Sequence, residues 1–182
     1  MMNYGISIAL IVGFAFAGGA MAAGGSQQKL AIQSAGQIHP VPQAAYQPDR
    51  KATYKVVFDL TQAAAKPNQL SPALERVART VNLYASAGVP LEHLKFVAVA
   101  HGPATSIALD EVHYREQYGT ANPNLLVIEE LRKAGVDIAV CGQAVVEHHY
   151  AYEWVDPRVT LALSALTTIM DLQQQGYALM PL

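Results

Sequence analysis

The stretch Gly135-Val-Asp-Ile-Ala-Val-Cys141-Gly-Gln-Ala-Val145 constrains the fold more than any other part of this chain. A glycine that stops a helix, a short β-branched run and an immediate second helical pattern describe a helix–strand–helix passage. A strand without polar alternation is buried on both faces, as a central strand of a parallel sheet is. The chain's only cysteine closes this strand. That is the carboxyl edge of the sheet, where open α/β folds put their ligands.

Further segments repeat the pattern. Tyr54–Asp59, Leu94–Ala100, Val159–Leu163 and Tyr177–Met180 read as strands, the first two almost wholly apolar. Ser71-Pro72 offers an N-cap with proline at the first helical position. Leu74, Val77, Ala78, Val81 and Ala85 then fall on one helical face until Gly88. A helix is expected between Ala104 and Gly119. A second opens at Asn122-Pro123, carries Leu125, Ile128, Leu131 and Ala134, and stops at Gly135. A short helix over Gly142–Tyr150 leaves the cysteine. Ser164 caps a last one bearing Leu166, Ile169, Met170 and Gln173, ended by Gly176. Strands and helices alternating in this way predict a three-layer α/β sandwich over residues 53–182, with a mainly parallel sheet of about five strands and right-handed crossovers.

The amino-terminal residues read differently. Ile6–Phe16 is a short apolar run, and Ala20 and Ala22 supply a small-x-small cleavage pattern, so residues 1–22 are expected to be an export signal peptide. A periplasmic or secreted protein, with no membrane anchor after cleavage, follows. Residues 23–52 are rich in Gln, Ala, Pro and Ser and read as a flexible, extended arm. With 52% apolar and only 14% charged residues, the chain is expected to bury part of its surface between subunits. The net charge is −2 and no basic run occurs, which argues against a nucleic-acid partner.

A single cysteine excludes an intrachain disulfide. Two strand ends remain as candidate chemistry, His101-Gly102-Pro103 and Cys141-Gly142-Gln143; parallel strands would bring both to one edge, where the glycines allow close backbone approach. Exposed N–H groups at a helix start favour a thiolate, which attacks sulfane sulfur or disulfides readily. The competing reading of Cys141 is a small buried hydrophobe, and of His101 a capping or core histidine. His113, His148 and His149, near Glu111 and Glu147, lack ligand-pair spacing such as His-x3-His. They read as a solvated polar face, with no metal expected and His148 near enough to approach the cysteine. Asp59 ends the first strand, but a carboxylate there opposes a thiolate and is given no helpful role. No phosphate-binding glycine loop and no G-x-S-x-G elbow occurs, so neither a nucleotide cofactor nor serine hydrolysis is expected.

Four blocks, Val-Ala-His101-Gly-Pro-Ala104, Asn122-Pro-Asn-Leu, Leu131-Arg-Lys-Ala-Gly-Val-Asp-Ile-Ala-Val-Cys141-Gly-Gln and Gln175-Gly-Tyr-Ala178, resemble the DsrE/DsrF-like family of sulfur-relay and intracellular sulfur-oxidation proteins. The resemblance runs from about Tyr54 to Leu182. It implies a three-layer α/β sandwich assembled into homotrimers or homohexamers, with a cysteine at the position of Cys141 that accepts and passes on persulfide sulfur. The resulting expectation is an exported sulfur carrier or sulfurtransferase-like protein that exchanges sulfur with a donor or acceptor protein. Cys141 and His101 would be its catalytic residues, and Gly102, Gly142, Gln143 and His148 would line the substrate. The alternative is a non-catalytic assembly or small-ligand-binding module around a packed, inert cysteine.

Overall fold

The structure is a computed structural model that describes residues 1–2 and 30–182. The apolar run and cleavage site of the expected signal peptide lie outside the described residues. Five strands, β1 (Tyr54–Leu60), β2 (Leu94–Ala100), β3 (Asp137–Cys141), β4 (Thr160–Ala162) and β5 (Ala178–Pro181), form one sheet in the order β4-β3-β2-β1-β5. Every pairing is parallel. The helices are α1 (Pro72–Ser86), α2 (Glu111–Tyr118), α3 (Leu125–Lys133), α4 (Gly142–Glu147) and α5 (Ala165–Gln174). The α/β sandwich expected from the sequence is therefore present.

The strand order decides which helix covers which face. From β1 to β4 the chain steps in one direction, so right-handed crossovers put α1 and α3 on one side. The return from β4 to β5 runs the other way and carries α5 to the opposite side. Strand residues sort accordingly, with period two. Val56, Phe58, Leu60, Phe96, Ala98, Ile138 and Val140 pack under α1 and α3. Val57, Val97, Val99, Ala139 and Cys141 face Ala165, Ile169 and Leu172 of α5. Because β3 connects onward on the first side and β4 on the second, the crevice between their carboxyl ends is the switch point of the sheet.

Local sequence explains the elements. Ser71 caps α1 by accepting from the Leu74 N–H at 3.4 Å, with Pro72 next to it. The helix expected between Ala104 and Gly119 is instead two pieces, a 3-10 segment (Gly102–Ala108) and α2, which Asp110 caps through the His113 N–H at 2.8 Å. Between them the backbone bonds elsewhere: Asp110 N–H donates to the Trp154 carbonyl and Asp156 N–H to that of Ala108, both at 2.8 Å. Those bonds tie the segment to the chain leading into β4. Helix α3 starts at Leu125, later than Asn122-Pro123 suggests. Asn122 and Asn124 are buried and satisfy neighbouring loops, Asn124 Oδ1 accepting from the Ser71 N–H at 2.9 Å.

Much of the arm lacks regular structure, yet its first described residues are seated. Ile32 and Ala35 are buried in the core beside α1. Asn82 of α1 accepts from the Ile32 N–H at 2.8 Å and donates to the carbonyls of Ile32, Ala35 and Gly36 at 2.9, 3.3 and 3.0 Å. Glu130 of α3 accepts from the backbone N–H groups of Gln33 and Ser34. An irregular segment docks here because polar side chains replace the hydrogen bonds that secondary structure would supply.

Candidate functional site

The carboxyl edge of the sheet opens into a cavity of about 590 Å³ between the strand ends and α5. Strand parity selects its floor. Asp59 follows Val57 by two residues and Cys141 follows Ala139 by two, so both point to the α5 side. Register brings His101 beside the thiol. Ala100 pairs with Val140, and one further step sets His101 opposite Cys141 on strands that lie about 4.8 Å apart. The His101 N–H donates to the Leu60 carbonyl at 3.1 Å, which continues the β1–β2 pairing and holds the histidine in line.

Polar side chains from several elements meet in this cavity. His101 Nε2 lies 2.6 Å from Asp59 Oδ1. As a carboxylate Asp59 only accepts, so Nε2 carries the proton and Nδ1 is the nitrogen left for other partners. Cys141 is 5% exposed, and its Sγ lies 3.9 Å from the Ser164 hydroxyl. Ser164 also caps α5, accepting from the Leu166 N–H at 3.2 Å. Gln143 reaches the same corner, its Nε2 donating to the Leu163 carbonyl at 3.3 Å. The outer wall is the exposed side of α5, with Leu166, Ile169 and Met170, facing Ala144 and Glu147 of α4.

The expected site residues are thus mostly, but not all, brought together. Cys141, His101, Gly102 and Gln143 line the cavity. Gly142 does not: it backs onto β4, where a Cβ would lie 2.8 Å from the Ala162 carbonyl oxygen, so its role is to let α4 start tightly against that strand. Gly102 has φ +52° with open space around the missing Cβ, so glycine serves its left-handed backbone there. His148 stands behind the rim and donates from Nε2 to the Gly102 carbonyl at 2.9 Å, since a carbonyl only accepts. Its ring stacks on Tyr150 at 5.5 Å. Burial, reinforced by the Tyr118 hydroxyl 2.6 Å away, holds the Tyr150 phenol well above its ordinary range, so this support stays uncharged.

Asp59, Ser164, Glu147 and the outer face of α5 are cavity residues that sequence reasoning did not assign. Asp59 was set aside as an unhelpful neighbour of the thiol, whereas its contact is with the histidine. Helix α4 starts at Gly142 as expected but ends at Glu147, short of Tyr150, and Cys141 occupies its N-cap position without a side-chain cap bond. His113 is taken by Asp110, with Nδ1 2.8 Å from Oδ2, and stacks on Trp154. Among the described residues no group of three or more His, Cys, Asp or Glu side chains is placed to hold a metal ion.

A model of the DsrE/DsrF-like family matches residues 55–182, which include every strand that frames this cavity. The chain belongs to the DsrE/DsrF-like family. Membership associates it with functions of a sulfur-relay kind in general. Among solved structures it is similar to MTH1491 from Methanobacterium thermoautotrophicum, described as a protein of unknown function. The identity is 19%, the match covers 71% of this chain and 99% of that one, and the TM-score is 0.53. At this identity the likeness carries the DsrE-like fold alone. No curated protein matches the chain.

Proposed function

We propose that this protein is an exported sulfur carrier or sulfurtransferase-like protein in which Cys141 accepts sulfane sulfur as a persulfide. The observation that supports it is the convergence of Cys141 and the Asp59–His101 pair on one cavity at the switch point of the sheet. In the step, the Cys141 thiolate attacks the outer sulfur of a donor R–S–SH. The Sγ–S bond forms, the donor S–S bond breaks, and R–S⁻ leaves and takes up a proton. Written in full, Cys141–SH and R–S–SH give Cys141–S–SH and R–SH, with no external oxidant or reductant. His101 suits the proton movements, because Asp59 fixes its Nε2–H and leaves Nδ1 to take the thiol proton and return it.

Assembly into a homotrimer or homohexamer belongs to the same proposal. The two edge strands leave apolar side chains uncovered, with Leu161 and Leu163 at one edge, Leu163 being 73% exposed, and Leu179 and Met180 at the other. Such surface favours burial between subunits. Light scattering of the mature protein reads the copy number.

Incubation with inorganic polysulfide and, separately, with benzyl hydropersulfide, followed by intact mass, tests the sulfur reading. The expected result is one or more added sulfur atoms on wild type and none on Cys141→Ser. Equal addition to both proteins, or none to either with both donors, would sink it. The burial of Cys141 favours the second reading, a packed and inert cysteine in an assembly or ligand-binding module. That reading predicts no alkylation of the thiol until the protein is unfolded.

A further inference from the structure

The cavity is far larger than a transferred sulfur atom, and its volume falls within the roughly 300–1,000 Å³ of sites that enclose whole organic ligands. Its lining also has a definite sign. Asp59 and Glu147 contribute carboxylates, while among the described residues no lysine or arginine lines it. Asp59 already holds the one titratable cationic candidate, His101. The N-terminus of α5 adds about half a positive charge, less than either carboxylate. The outer wall is apolar and uncovered: Leu166 is 84% exposed and Met170 57%, with Ile169 between them and Ala144 opposite. Among the described residues, a small anionic donor such as thiosulfate would meet the two carboxylates, with His101 already paired to one of them. An apolar body would instead cover Leu166 and Met170.

From this lining we infer that the cavity takes sulfur from an organic carrier whose body R is uncharged and apolar, bound as the protonated persulfide R–S–SH, and disfavours small dianionic donors. The inference rests on the sulfur-acceptor reading and adds the substrate class. The body R lies along Leu166, Ile169 and Met170, the S–SH end reaches Cys141, and the neutral thiol R–SH departs by the same opening. Atoms balance as in the transfer written above.

Binding can be read without the thiol, so this inference and the sulfur chemistry can fail separately. On the full mature protein carrying Cys141→Ser, benzyl methyl disulfide serves as an uncharged, stable stand-in for the donor and thiosulfate as the anionic one. Chemical shifts of the α5 amides follow both titrations. The expected result is binding of the disulfide at least about tenfold tighter than thiosulfate, a gap of the size that one or two nearby carboxylates impose on a dianion. Met170→Asp should weaken the disulfide severalfold, and Glu147→Lys should narrow the gap. Thiosulfate binding as tightly as the disulfide overturns the inference. So does a disulfide that leaves α5 unperturbed, or one whose affinity is indifferent to Met170→Asp. Sulfur loading of wild-type Cys141 by benzyl hydropersulfide, a donor with an apolar body, remains the separate readout for the reaction itself.

Discussion

His101 Nε2 and Asp59 Oδ1 lie 2.6 Å apart across the carboxyl ends of two adjacent parallel strands. The contact joins a residue of one strand end to the last inward-facing position of its neighbour. It converts a lone histidine into one with a defined tautomer, beside the only cysteine in the chain.

Asp59→Asn keeps the shape of this contact and removes its charge. The expected outcome is sulfur loading of Cys141 slowed by roughly tenfold to a hundredfold, with the fold retained. Stopped-time mass spectrometry across a pH series checks it. A positioning role for Asp59 moves the pH profile of loading, whereas a purely structural one lowers the melting temperature and leaves the profile where it was.

Gly142→Ala places a methyl group 2.8 Å from the Ala162 carbonyl oxygen, a backbone atom that cannot swing aside. Helix α4 must lift from β4, at a cost of about 1–3 kcal/mol. Because Cys141 precedes it directly, alkylation of the thiol should change with stability. Gly102→Ala makes the contrasting case. Its added methyl meets nothing, so the cost is conformational only, about 1–2 kcal/mol for the left-handed backbone. Urea denaturation of the two variants separates clash from strain.

Asn82→Ala leaves the N–H of Ile32 and the carbonyls of Ile32, Ala35 and Gly36 without their partner. Loss of about 2–3 kcal/mol is expected, since these groups are buried or become reachable only if the segment peels off. Limited proteolysis should then cut between residues 30 and 53 while the α/β domain survives. An unchanged proteolytic pattern would count against a seated arm.

Asp156 supplies a pH signature of stability. Burial pushes its carboxyl up, but the Arg158 side chain, bonding at 2.7 and 2.8 Å, and the Arg158 N–H outweigh this and hold it below its ordinary value. A carboxyl lowered on folding stabilises fully above its unfolded value of about 3.9, and that contribution is lost as pH falls through the folded value. Asp156→Asn should therefore cost about 1–3 kcal/mol at neutral pH. The gap to wild type should close in acid below pH ~3.9, as thermal unfolding at stepped pH would record.

Local chemistry in the sequence determined the elements themselves. β-Branched runs specify β1 to β3, Ser71-Pro72 and Ser164 start their helices, and Gly135 stops one directly before the cysteine strand. The same local signals put His101 and Cys141 at strand ends. Where the signal was a single polar residue, it was easy to pass over: Asn82 lies on the apolar face of α1, one turn beyond Ala78, and it is the anchor of the arm.

Only the tertiary structure decided which side of the sheet each residue faces. A strand buried on both faces carries no alternation, so Val56 and Val57 look alike in sequence although one packs under α1 and α3 and the other under α5. Among the described helices, the reversal from β4 to β5 assigns α5 to the second face, and with it the cavity, the partner of His101 and the exposed Leu166 and Met170. Local propensity acts over a few residues, whereas these assignments depend on strand order and register. The cysteine strand was legible from its own residues, but its surroundings come from Asp59 and Ser164, which are distant in the chain and meet it only in the folded sheet.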